Sequence, residues 1–286
     1  MSSAAVGEQR FVDAAAAGLD PVVDEPFSWC KPAESSGSWE TESGSDEEES
    51  EDEGADLSCD VRTQLASAVA SLEAAPAGSD AAAMCQALGV HARDARCRAA
   101  LCALRTFERA IVPAVASLWD WSSDAPLPPV SALRLARNLC AGAGGGQLAV
   151  RTCGLLAQCA GGVPALRALR DAEHIAAARA LTQCMGNALA SNAANQGCVW
   201  PVAFAAESGW FRRALAADGG WCGDGGVVNA VAMCIFSCVS ADSDAARTRL
   251  GALVADGALV GRLASLVCAE TLVDEHPALE FVMLLC

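Results

Sequence analysis

Tyrosine is absent from this 286-residue chain, lysine occurs once (Lys31), and there are three histidines, His91, His174 and His276. Each shortage removes a class of function. None of the histidines stands in a metalloprotease or triad pattern, and there is no Gly-x-Ser-x-Gly elbow to expose a nucleophile. No Gly-Lys-Ser/Thr phosphate loop occurs, and the glycines of Gly142–Gly146 follow no strand pattern, so a helix–helix turn explains them better than a nucleotide cradle. No Cys-x-x-Cys pair occurs among 15 cysteines. Cys234 and Cys238 share a helical face without a further His/Cys pair at zinc-site spacing. Carboxylate pairs exist, Asp171/Glu173 and Asp242/Asp244, but they fall where helices are expected to begin, and acids there offset the helix dipole. The sequence therefore predicts no enzyme, no cofactor and no metal.

Basic surface is also missing. Residues 1–60 hold 17 acids against two bases, a net of −15, whereas residues 61–286 hold 18 acids against 17 bases. A nearly neutral body with an acidic arm has no electrostatic footprint for nucleic acid. Long apolar runs are missing too. Residues 180–206 are interrupted by Gln183, Asn187, Asn192, Asn195, Gln196 and Pro201, and residues 225–241 carry Asn229, Ser237 and Ser240. A membrane span needs about 20 predominantly apolar residues, so none is expected. Residues 1–10 lack the basic-then-apolar pattern of a secretory signal. The odd cysteine count, with most cysteines inside apolar stretches, reads as free thiols in a reducing compartment, cytoplasmic or nuclear.

What is present divides the chain in two. Residues 1–56 read as a disordered acidic tail, because Ser35–Ser50 and the acids that follow cannot bury enough apolar surface to offset ordering entropy. Within it, Trp29 and Trp39 are either incidental or part of a short docking motif. Ser43 and Ser45 each have an acid three residues on, Asp46 and Glu48, which makes them candidate phosphorylation sites.

Residues 57–286 carry helical periodicity. Leu57, Val61, Leu65, Val69 and Leu72 recur at three- and four-residue steps. Pro76, Gly78 and Ser79 end that helix, and Asp80 is placed to cap the next. Cys97, Leu101, Leu104 and Phe107 form a second stripe, and residues 111–121 a third. No long apolar–polar alternation appears, so the class is all-α.

The strongest internal signal is a repeat. Asn138 and Asn187 are 49 residues apart, and so are Gln147 and Gln196. A more degenerate copy spans Met233–Ser240, about 50 residues after Cys184. Each copy is an apolar helix, a polar turn and a second helix, with shorter helical stretches such as 162–169 and 208–217 between copies. A period of 40–50 residues with two or three helices per unit predicts an armadillo/HEAT-like α-solenoid, since one unit cannot bury its apolar stripe alone.

The strings Arg137-Asn138-Leu139-Cys140-Ala141-Gly142 and Gly186–Gln196, with Val199-Trp200-Pro201 after the second, resemble the ataxin-10 family over about residues 130–250. The resemblance implies an armadillo-like array and a non-enzymatic scaffold for other proteins, associated in that family with cell survival, neurite growth and cytokinesis. Candidate partner-binding residues are Asn138, Asn187 and Asn229, whose amides could clamp an extended peptide, and Trp200 and Trp210 as aromatic anchors. The opposing expectation for the asparagines is that they tie adjacent repeats together. An alternative function is a transport or targeting adaptor that binds basic peptides in a concave groove, modulated by the acidic tail; it calls for an acidic groove.

Overall fold

The computed structural model describes residues 57–74, 79–115, 130–142, 145–162, 172–204, 209–215 and 224–268. The expected acidic tail (1–56), with Ser43 and Ser45, lies outside the described residues. All regular structure among the described residues is helical: α1 (Cys59–Ala74), α2 (Ser79–His91), α3 (Ala95–Ala103), a π-helical turn (Phe107–Ile111) running into α4 (Val112–Val115), α5 (Val130–Leu139), α6 (Gly145–Thr152), α7 (Leu155–Gly162), α8 (Ala172–Leu189), α9 (Ala193–Phe204), α10 (Trp210–Leu215), α11 (Gly225–Val239), α12 (Asp244–Ala255) and α13 (Gly257–Cys268).

The periodic leucines and valines explain the first helix directly. Leu65, Val69 and Leu72 of α1 are buried, together with Ala68. Asp80 lies in the first turn of α2 rather than ahead of it, where it still complements the dipole. The stripe from Cys97 to Phe107 is split. Asp94 caps α3 by accepting from the amides of Arg96 and Cys97, but α3 ends at Ala103 and Arg105 takes a left-handed φ of 56°. Cys97, Leu101 and Phe107 are nevertheless all buried, so the break turns the chain without losing the apolar face. The helix expected over 111–121 is described only as far as Val115, and residues 116–129 lie outside the description.

Every third helix joins one layer. α2 packs on α5, α5 on α8, and α8 on α11. The remaining helices fill in beside it: α3 meets α6, α7 meets α9, and α10 meets α13. The layer is held by small and branched apolar side chains. Leu133, Leu135 and Ala136 of α5, Ala178, Leu181 and Ala188 of α8, and Val227, Val231 and Ile235 of α11 are all buried. Burying one Val, Leu or Ile side chain favours folding by about 1.5–3 kcal/mol, so the layer is the main source of cohesion.

The turns between helices follow two designs. After α5, Gly142 adopts φ 81°, a conformation that costs a glycine nothing. After α8 the same role falls to Ser191 at φ 51°, between Ala190 and Asn192. Gly146 answers a second need. A Cβ there would lie 1.8 Å from the Leu139 carbonyl oxygen, so only glycine lets α6 fold back against the end of α5.

Candidate functional site: the open face of the central layer

One side of the α2–α5–α8–α11 layer is packed and the other is partly open. On α5 the half-exposed positions are Ser131, Arg134, Arg137, Asn138 and Ala141, spaced three to four apart. On α8 they include Arg179, Gln183 and Asn187, and on α11 Asn229 and Phe236. Gln86 of α2 is exposed. The helix repeat thus collects arginines and amides on one surface.

The amides of this surface are engaged between neighbouring helices. Asn138 Nδ2 donates to the Gly89 carbonyl at the end of α2 (2.8 Å), and Asn187 Nδ2 donates to the Arg137 carbonyl of α5 (2.9 Å). Arg137 joins them, donating from Nε to Asn138 Oδ1 (3.0 Å) and from a terminal nitrogen to Gln183 Oε1 (2.8 Å). Both asparagines therefore use their donor on the preceding helix of the layer. Asn229 differs. Its Oδ1 is buried without a hydrogen-bond partner.

The Asn…Gln interval of the repeat has its own structural meaning at the turns. Gln147 Nε2 donates to the carbonyls of Asn187 and Ala190, both at 2.9 Å, while its Oε1 accepts from Asn192 (3.1 Å). Asn195 donates to the carbonyls of Gln147 (3.0 Å) and Ala188 (2.7 Å), and Gln196 donates to that of Leu189 (3.1 Å). One unit onward, Arg249 donates to Gln196 Oε1 and to the Cys238 carbonyl, both at 3.2 Å. Apart from the Gln147 carbonyl, in the first turn of α6, the backbone acceptors are carbonyls at the C-terminal ends of α8 and α11, which helices leave free.

A charged clasp joins α8 to the start of α11. Asp224 caps α11 by accepting from the Val227 amide (2.9 Å) and takes both Nε (2.8 Å) and a terminal nitrogen (2.7 Å) of Arg179. Gly226 makes room, since a Cβ there would meet Arg179 Nε at 2.7 Å. Burial pushes the Asp224 carboxyl up, but the Arg179 bonds and the backbone amides outweigh it and hold the group below the usual carboxylate range.

The aromatic candidates occupy one cluster at the α9–α10 junction. Trp210 is 1% exposed and sits edge-on to Phe211, centroids 4.3 Å apart. It is a core residue with no exposed ring face. Trp200 is half-buried, stacked on Phe204 at 4.4 Å and edge-on to Phe211 at 6.2 Å. Arg212 lies over the Phe204 ring at 5.5 Å. Of the two tryptophans, only Trp200 keeps surface for contact.

Several buried thiols among the described residues are held protonated. Burial pushes Cys85 and Cys238 up to about 12, and raises Cys140, Cys159 and Cys234 well above the ordinary thiol value, with Cys184 beside Cys140 adding to the effect. Among the described residues no group of three His, Cys, Asp or Glu side chains is placed to hold a metal ion. No described helix is long and apolar enough to cross a membrane.

The repeat and its asparagines were visible in the sequence, with Arg137 as part of the resembling string and Gln183 only as a polar interruption; Arg134 and Arg179 were not singled out there. Arg134 could have been found by extending the apolar stripe of α5 to its polar complement, because it falls three residues before Arg137 and four before Asn138. Arg179 pairs with a residue 45 positions away, for which no local pattern exists. No family model, curated protein or solved structure matches this chain.

Proposed function

We propose that this chain is a non-enzymatic protein–protein interaction scaffold built as an armadillo-like solenoid, similar to the ataxin-10 family. The carrying observation is the stacking of α2, α5, α8 and α11, with Asn138 and Asn187 each tied to the helix one repeat before. In this reading the four successive units are α2–α4, α5–α7, α8–α10 and α11–α13. Each contributes one helix to a continuous face, and that face meets protein partners through arginine, amide and aromatic side chains. Roles in cell survival, neurite growth or cytokinesis, and a cytoplasmic or nuclear location, come from the resemblance and the free thiols. The basic-peptide adaptor calls for carboxylates on the open face, where the described side chains are Arg134, Arg137 and Arg179 beside amides.

Partner capture with the full chain tests the reading. Gln86→Ala/Trp200→Ala, which leaves the asparagine ties intact, should lose captured proteins while keeping wild-type helix content by circular dichroism. If this variant and Arg134→Ala both retain every partner, neither the open face nor the Trp200 surface at the α9–α10 junction is the interaction surface, and the scaffold reading fails.

A further inference from the structure

We infer that the far face of α11, opposite α8, is a docking surface for the chain's own residues 277–286, laid along it as the next helix of the layer. The inference goes beyond the scaffold reading and uses only the packing of the layer.

The first observation is a face that is buried without a layer neighbour. α8 is flanked in the layer by α5 and α11, while α6, α7 and α9 pack on its other sides. α11 is flanked by α8, with α9, α10 and α12 in the corresponding places, and no described helix follows it in the layer. The repeat spacing identifies the side left over. On α8, Arg179 and Gly186 meet α11: Arg179 reaches Asp224, and a Cβ on Gly186 would touch Met233 and Cys234 at 3.9 Å. Forty-nine residues on, the same positions of α11 are Val228 and Ile235, with Ala232 between them on one helical face. They are 3%, 0% and 1% exposed in the order Val228, Ile235, Ala232. An apolar face sealed from water has a cover, and among the described residues the layer supplies none on this side.

The second observation is complementarity. On α11, Met233 and Cys234 turn to α8, and Cys234 Sγ donates to the Thr182 carbonyl (3.5 Å). Ala230 and Ser237 lie one turn to either side on the same face. The counterparts of these four, 49 residues on, are Leu279, Val282, Met283 and Cys286. All four are apolar, cysteine counting as a small hydrophobe, and they recur at three- and four-residue steps. A helix over 277–286 therefore turns an apolar stripe to α11 at the positions through which α11 meets α8.

The third observation is chain length. Residues 163–171 link α7 to α8 and residues 216–224 link α10 to α11, nine in each case. Residues 269–276, between α13 and Pro277, are one fewer. Proline fits the first turn of a helix, where its missing N–H costs nothing, and Asp274 and Glu275 precede it as acids do at helix starts. Ten residues are enough for the layer, since α5 has ten. A second copy could offer a helix to the same face, but the tethered segment acts at a millimolar-scale effective concentration and is favoured over it.

The test is amide hydrogen exchange, read by mass spectrometry, on the full chain as wild type, Val282→Asp/Met283→Asp and Leu285→Asp. Leu285 corresponds to Phe236 on the open side, so it is a control within the same segment. In the Val282/Met283 variant, peptides of α11 should exchange at least about tenfold faster than in wild type, while those of α2, at the other end of the layer, keep their rate. Leu285→Asp should leave α11 within about twofold of wild type. If the double change speeds exchange everywhere, Met283→Ala against Leu285→Ala serves, with a several-fold contrast at α11 expected. Unchanged α11 exchange when Val282 and Met283 are altered, or an equal effect from Leu285, overturns the proposal. So does a wild-type dimer by light scattering that Ile235→Asp dissociates, which gives the face to a second copy. None of these results decides the scaffold reading, which is judged on captured partners.

Discussion

The side-chain amide of Asn187 donates to the backbone carbonyl of Arg137, 50 residues earlier and 2.9 Å away. This bond joins the C-terminal half of α8 to that of α5, and Asn138 joins α5 to the end of α2 through Gly89 in the same way. Repeat spacing and inter-helix distance are thus one fact: the residue that recurs in sequence is the one that reaches back in space.

Removing either tie leaves a carbonyl without its side-chain donor. Asn187→Ala and Asn138→Ala should each destabilise the fold by about 1–3 kcal/mol. Urea denaturation followed by circular dichroism measures it. A loss below a few tenths of a kcal/mol for both would show that these bonds do not hold the layer.

Gln147 meets Asn187, Ala190 and Asn192 at once, so its loss should exceed that of a single tie. We expect Gln147→Ala to cost about 2–4 kcal/mol, and to be non-additive with Asn192→Ala by more than about 0.5 kcal/mol. Additive single and double variants in the same denaturation assay would mean the turn network is not cooperative.

Two glycines should respond in opposite directions. Gly146→Ala forces a Cβ into the Leu139 carbonyl and should unfold or severely destabilise the chain. Gly251, exposed inside α12, has nothing within 4 Å of its would-be Cβ. Gly251→Ala should stabilise by about 0.5–1 kcal/mol through helix propensity alone. Thermal melts of the two variants decide both.

The Asp224 clasp sets a pH dependence. Its carboxyl is held below the unfolded value of about 3.9, so the folded state gains from ionisation. That contribution is complete above the unfolded pKa and is lost as pH falls through the lower folded one. Asp224→Asn should therefore be less stable than wild type at pH 7, by about 1–3 kcal/mol, with the gap shrinking below about pH 4. A constant gap between pH 7 and pH 3 would contradict this origin.

Buried thiols at about 12 hold roughly one part in ten thousand as thiolate at pH 8. Among the described cysteines, the exposed Cys59 should alkylate within minutes in native buffer, whereas Cys85, Cys140, Cys234 and Cys238 should react only after unfolding. Peptide mass spectrometry reads the order directly, and early modification of Cys140 or Cys234 would mean the layer opens locally.

The helical class was legible because apolar residues recur at three to four steps, and that period marks an inward face whatever the neighbours are. The break at Arg105 was not legible, since Leu104 and Phe107 keep the stripe going while the backbone turns between them. Trp200 and Trp210 look alike in sequence, yet one keeps surface and the other is sealed by Phe211 and the helices around it.

By itself, the order of residues determined that the body is made of amphipathic helices, that a 49-residue spacing recurs, and that charge is concentrated in the first sixty positions. These are local or statistical properties, set by side-chain pattern and composition. Tertiary structure alone decided that every third helix joins one layer, that Asn138 and Asn187 bond backward while Asn229 keeps an unmet acceptor, and that three arginines gather on one face. Each of those depends on contacts between residues some 45 to 50 positions apart, and a donor's partner is chosen by distance and direction in the folded chain, which no local period encodes.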